Sequence, residues 1–152
     1  TAIGKRAVEY GLLEPLREAG RAGFPIWGTC AGMVLLAETV GREQPLLELL
    51  PISIARNGFG RQVQSFETDL EVPVLGEPPF RAIFIRAPKA EYVGAGVEIL
   101  AALPEGTPVA LQRGALLATA FHPELTDDTR WHAYFITLIH QQREKVALSD
   151  GL

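Results

Sequence analysis

Apolar and polar positions alternate along the chain in two rhythms, one helical and one extended, and the rhythm changes about a third of the way through. Residues 2–10 and 12–20 carry a helical pattern, with Gly11 and Gly20 as stops and Pro15 in the first turn of the second helix. Residues 24–29, Phe-Pro-Ile-Trp-Gly-Thr, form a short apolar run between breakers and predict a buried strand. Good helix formers over 31–39 predict a helix ended by Gly41. Beyond Ser53 the pattern becomes extended. Asn57-Gly58-Phe59-Gly60 is a turn or loop, residues 61–72 alternate as a strand does, and 81–86 is an apolar run closed by Pro88. Three more short strands are expected over 97–103, 108–112 and 116–121, separated by Pro-Glu-Gly and Arg-Gly turns. Residues 127–145 predict a helix capped by Thr126, with Asp127 and Asp128 at its positive end. Trp131, Tyr134, Phe135, Leu138 and Ile139 form its apolar stripe. Helices mixed with short strands make this an α/β chain, and the strand-rich second half adds an antiparallel portion to the sheet.

The length of 152 residues fits a single domain over 1–152 with a real core. Net charge is −4, with no basic block of the kind that binds nucleic acid. No apolar stretch reaches the roughly 20 residues that span a bilayer, so no membrane partner is expected. One cysteine excludes an internal disulfide and is compatible with a reducing compartment.

That cysteine lies in Gly28-Thr29-Cys30-Ala31-Gly32, a Gly-x-nucleophile-x-Gly segment between a predicted strand and a predicted helix. Such an elbow holds the nucleophile in a strained turn, and flanking glycines remove side chains that would clash. The helix N-terminus favours thiolate, and the Ala31 amide is placed to donate to an oxyanion. Taken alone, the pentapeptide is equally well a small buried cysteine. His122-Pro123-Glu124 closes the strand over 116–121. In extended chain, residues two apart project together, so Glu124 would orient the His122 imidazole as a general base. Taken alone, that tripeptide reads more readily as a surface turn with an ion pair. A zinc deaminase site needs a Pro-Cys-x-x-Cys partner that one cysteine cannot supply, so no metal is expected. His132 and His140 lie off the helical stripe and receive no role.

A cysteine elbow followed by a strand-end His-x-Glu is far more specific than either part, and it is the triad order of class I glutamine amidotransferases. The 24–33 segment resembles the nucleophile region of the glutaminase subunits of pyridoxal 5'-phosphate synthases. Arg56-Asn57-Gly58-Phe59-Gly60-Arg61-Gln62-Val63-Gln64-Ser65-Phe66-Glu67, Ile83-Phe84-Ile85-Arg86-Ala87-Pro88 and Ala120-Phe121-His122-Pro123-Glu124-Leu125-Thr126 resemble the same family, in family order. Gly58 departs from its more usual alanine or serine.

The resemblance implies a three-layer flavodoxin-like class I glutamine amidotransferase fold with a mostly parallel central sheet. It implies a Cys30, His122 and Glu124 triad, an oxyanion donor at Ala31, and glutamine contacts at Arg56, Ile85 and Arg86. It implies a cytoplasmic enzyme without a cofactor. This enzyme takes L-glutamine and passes ammonia to a barrel-shaped synthase subunit in a large hetero-oligomer, and is poorly active alone. Family members also carry a strand–helix–strand segment ahead of the position of Thr1, with a Gly-Gly-Glu-Ser stretch that supplies a second oxyanion donor. The sequence begins after it, and the functional expectation concerns the intact protein. Two rival readings remain: a glutaminase serving another synthase, or a γ-glutamyl hydrolase, against which the 56–67 stretch argues; and a catalytically silent docking or regulatory subunit.

Overall fold

In the computed structural model, residues 2–55 and 65–150 are described. Two short helices open the chain, α1 (Ala2–Glu9) and α2 (Leu13–Arg21), followed by strand β1 (Ile26–Thr29) and helix α3 (Ala31–Leu36). The next eight elements are all strands: β2 (Ala37–Val40), β3 (Leu50–Ile54), β4 (Ser65–Leu70), β5 (Phe80–Ile85), β6 (Ala90–Val93), β7 (Glu98–Ala102), β8 (Pro108–Arg113) and β9 (Leu116–Thr119), followed by a 3₁₀ turn over Pro123–Leu125. Helix α4 (Arg130–Asp150) completes the described chain.

The strands pair in the orders β1-β9-β8-β7, β2-β3-β6 and β4-β5. The ladders β1–β9 and β2–β3 are parallel, and the other four described ladders are antiparallel. The α/β class with both kinds of pairing is as expected. The antiparallel portion arises because tight turns such as that at Gly114 join β8 and β9 directly in sequence. Strand β9, Leu-Leu-Ala-Thr, is buried at every position because it lies between β1 and β8. Strand β5 alternates, with Phe80, Ala82 and Phe84 buried.

Three sequence expectations need correction. The helix expected over 31–39 stops at Leu36, and 37–40 is strand β2. Thr39 and Val40 are β-branched, and the neighbouring strand β3 offers backbone partners that outweigh helix propensity. Strand β3 is not among the expected strands, and its Pro51 disfavours a central strand position. Pro51 is accommodated where the β2–β3 register shifts, from Ala37↔Leu50 to Thr39↔Ser53, so its missing N–H breaks no regular ladder. Thr126 does not cap the last helix. It bonds back to the Pro123 carbonyl at 3.2 Å, and Asp128 instead accepts the Arg130 N–H at 3.1 Å.

The buried residues form a hydrophobic cluster to which every strand except β1 contributes a buried side chain, and Ile26 and Trp27 of β1 pack against it half-buried. The contribution of β4 is Leu70, at its end. Trp131 anchors α4 there, with its ring 5.7 Å from Phe121 and 6.2 Å from Phe80. The expected stripe is present, with Trp131 and Leu138 buried and Tyr134, Phe135 and Ile139 half-buried. The Arg130 guanidinium donates to the carbonyls of Gly76 and Pro78 at 3.1 and 2.7 Å, which ties the start of α4 to the loop that leads into β5.

Candidate active site

The site follows from one ladder. Strands β1 and β9 run parallel with Ile26 opposite Leu116 and Thr29 opposite Thr119, so both end at the same level. Cys30 steps off one strand there and the segment 120–122 steps off the other. Ligands of parallel α/β sheets bind at this carboxyl edge.

Cys30 has φ 51° and ψ −107°, a conformation costly for a residue with a side chain. Its N–H donates to the Thr119 carbonyl at 2.8 Å, and its own carbonyl accepts the Met33 N–H at 3.0 Å, which starts α3. Gly28 is required for this approach. A Cβ there would lie 2.4 Å from the Gly32 carbonyl oxygen. Gly32 is different, since a Cβ on it meets nothing within 4 Å. The elbow therefore needs one of its two flanking glycines for space, not both.

The Cys30 thiol is half-buried and donates to the Ile85 carbonyl at 3.7 Å. Burial raises its pKa above the ordinary thiol value. The Ala31 amide, which faces the sulfur, pulls it down, and the charge of Glu124 pushes it up again. This corrects the expectation that the helix end alone favours thiolate. Helix α3 has only six residues, and desolvation outweighs the hydrogen bond from the Ala31 amide. The balance favours the protonated thiol over the thiolate.

His122 is held by its N–H, which donates to the Ile83 carbonyl at 2.9 Å. Its Nδ1 lies 2.9 Å from Glu124 Oε1. An ionised carboxylate only accepts, so Nδ1 carries the proton in this contact and the Nε2 lone pair of the neutral ring is left for base chemistry. Glu124 reaches the ring by a route other than the one expected. His122 is extended, but residues 123–125 form a 3₁₀ turn, so the turn and not strand alternation brings the carboxylate back. The Cys30 thiol and the His122–Glu124 pair thus follow the ends of two adjacent, in-register strands.

Strand β5 spans the pair, since its Ile83 carbonyl holds the His122 amide and its Ile85 carbonyl meets the Cys30 thiol. Ile85 is 41% exposed, and Arg86 follows it with φ 46°, exposed at the strand end. The proposed substrate contact Arg56 lies outside the described residues. His132 is exposed as expected, with its ring edge on Trp27 at 5.1 Å. Among the described residues, no group of three or more His, Cys, Asp or Glu could hold a metal ion, and no helix is long and apolar enough to cross a membrane. Sequence reasoning missed the carbonyls of Thr119, Ile83 and Ile85. They are main-chain groups, and no residue type announces them.

The model of the SNO glutamine amidotransferase family matches residues 1–141. The chain belongs to that family. The enzyme class expected from the sequence, a glutamine amidotransferase, therefore stands. Among relatives of this amidotransferase is the pyridoxal 5'-phosphate synthase subunit PdxT of Herpetosiphon aurantiacus, 58% identical over 142 residues, which cover 91% of this chain and 75% of the relative. The subunit of the same name from Pelotomaculum thermopropionicum is 58% identical over 137 residues, covering 90% and 69%. A crystal structure of a glutamine amidotransferase superposes with a TM-score of 0.84 at 48% identity, covering 91% of this chain and 73% of that one.

Proposed function

We propose that this amidotransferase hydrolyses L-glutamine to L-glutamate and ammonia at Cys30, and that it is the glutaminase subunit of a pyridoxal 5'-phosphate synthase. The observation that supports the site most strongly is the shared edge of β1 and β9, where the strained Cys30 and the His122–Glu124 pair come together.

In this reading His122 Nε2 takes the Cys30 thiol proton, and the sulfur attacks the side-chain amide carbon of glutamine. The Ala31 N–H donates to the oxyanion that forms. The imidazolium, held by Glu124, gives its proton to the leaving nitrogen, and ammonia departs from a glutamyl thioester. Water then loses a proton to His122 and attacks the thioester. The imidazolium returns that proton to the sulfur, and glutamate leaves with the thiol restored. Arg56 and Arg86 suit the α-carboxylate of the substrate, and the β5 end at Ile85 lies beside its path. The ammonia passes to a barrel-shaped synthase subunit within a hetero-oligomer. A cytoplasmic setting keeps the single thiol reduced.

Glutamate release from glutamine, measured with and without the synthase subunit, tests the reading. Cys30→Ala is expected to lower turnover by ~10⁴-fold or more while partner binding persists. Normal turnover by that variant would remove Cys30 from the chemistry. Absence of glutamate from the unaltered complex would leave a docking subunit instead.

A further inference from the structure

We propose that Thr119 is a positioning residue for the nucleophile and base, pinned by a hydrogen bond from the Trp27 indole. The proposal rests on the glutaminase reading of the site. Among the described residues only Thr107 and Thr119 are buried polar side chains, and Thr119 is 0% exposed. The rest of its strand is Leu116, Leu117 and Ala118, all buried and apolar. A hydroxyl in that setting costs stability unless it is satisfied, and a valine would fill the same space without that cost. Trp27 satisfies it, with Nε1–H donating to Thr119 Oγ1 at 3.1 Å.

The place of this bond gives it a purpose. Thr119 is the last residue of β9 paired with β1, opposite Thr29. Its carbonyl accepts the N–H of Cys30 at 2.8 Å, the contact that holds the strained turn. Its chain then runs through only Ala120 and Phe121 to His122. One peptide therefore sets the position of the sulfur on one side and of the imidazole on the other. Trp27 is itself held, with its ring 5.1 Å from that of His132 and 5.6 Å from that of Phe135 on α4. The indole thus ties the last helix to the residue between the two reacting groups. Loss of the bond frees Thr119 to shift, which spreads the sulfur–imidazole separation. Small misplacements of this kind act on turnover. The candidate glutamine contacts lie on other segments, at Arg56, Ile85 and Arg86, so substrate binding is spared.

The test uses the full chain in complex with its synthase subunit and reads kcat and KM for glutamine in Thr119→Val, Trp27→Phe, the double variant and Thr119→Ser. Thr119→Val and Trp27→Phe are each expected to lower kcat about threefold to tenfold, the range of one lost hydrogen bond, with KM unchanged. The double variant is expected to be no slower than the slower single one. Thr119→Ser, which keeps the acceptor, is expected to stay within about twofold of the unaltered enzyme. An unchanged kcat in either single variant, additive losses in the double, or an effect on KM alone would overturn the proposal. Trp27 is only half-buried, so Trp27→Phe decides the matter if Thr119→Val does not fold. A Cys30→Ala control separates the two claims. If it still turns over, the glutaminase reading fails. If it is dead while Thr119→Val is normal, only the positioning role fails.

Discussion

The two ends of the β1–β9 pair solve the same steric problem in opposite ways. At the end where the strands begin, the chain turns through Gly23 at φ 91° and Gly114 at φ 58°. Glycine makes such turns without strain. At the end where the strands finish, Cys30 at φ 51° carries a side chain through a comparable turn, and Arg86 at φ 46° does so just past the end of β5. Two of the three non-glycine residues with positive φ among the described residues thus lie at one edge of the fold. Strain is accepted beside the proposed site, at a thiol and a guanidinium, and avoided where nothing but a turn is needed.

The sharpest way to break this contrast is to remove the chemistry from the strained end. His122→Ala is expected to lower glutamine turnover by ~10²–10⁴-fold. Glu124→Gln is expected to lower it less, because the carboxylate orients the ring and does not transfer the proton. Steady-state glutamate release checks both, and equal losses would contradict that division of roles.

Next in size is the close approach beneath the elbow. Gly28→Ala puts a methyl 2.4 Å from the Gly32 carbonyl oxygen, so a loss of about 1–3 kcal/mol is expected in denaturant unfolding. Gly32→Ala meets open space and is expected to change stability far less. A reversed order would mean that the elbow packs differently from this structure.

Smaller and opposite effects are expected from exchanging the two solutions. Gly114→Ala is expected to lose about 1–2 kcal/mol, although its new methyl would meet nothing within 4 Å. Cys30→Gly is expected to be more stable than Cys30→Ala by about 1 kcal/mol, since glycine relieves the strained turn. Thermal unfolding of the four proteins would expose a failure in either direction.

The smallest effect is one of pH. Burial holds the Cys30 thiol above its ordinary pKa, so the folded state favours the protonated form. That contribution to stability is fully present below the ordinary thiol value and is lost as pH rises through the raised one. The unaltered protein should therefore lose stability in the alkaline range relative to Cys30→Ala. Alkylation of Cys30 by iodoacetamide should reach half its plateau at a higher pH than alkylation of a free thiol. A plateau reached at or below the pH of the free thiol would show a thiolate at rest.

Local pattern was enough for much of the molecule. The helices near residues 2–10, 12–20 and 127–145, the strands near 81–86, 97–103, 108–112 and 116–121 and the stripe of the last helix follow from hydrophobic periodicity and glycine or proline stops, whereas β6 was not expected. Periodicity reports which face of an element is apolar, and that is a local property. It failed where a distant partner decided the outcome. Thr39 and Val40 became strand because β3 was there to pair with them, and Pro51 was tolerated because a register shift absorbed its missing donor.

The site divides along the same line. The sequence by itself determined which side chains could do chemistry, because a lone cysteine between glycines and a His-Pro-Glu tripeptide are readable as residue types. Only the tertiary structure decided their arrangement and electrostatics: the parallel register that brings residues 30 and 122 to one edge, the 3₁₀ turn that carries Glu124 to the imidazole, and the burial that keeps the thiol protonated. Register, desolvation and main-chain hydrogen bonds depend on groups far apart in the chain, and no local stretch of residues encodes them.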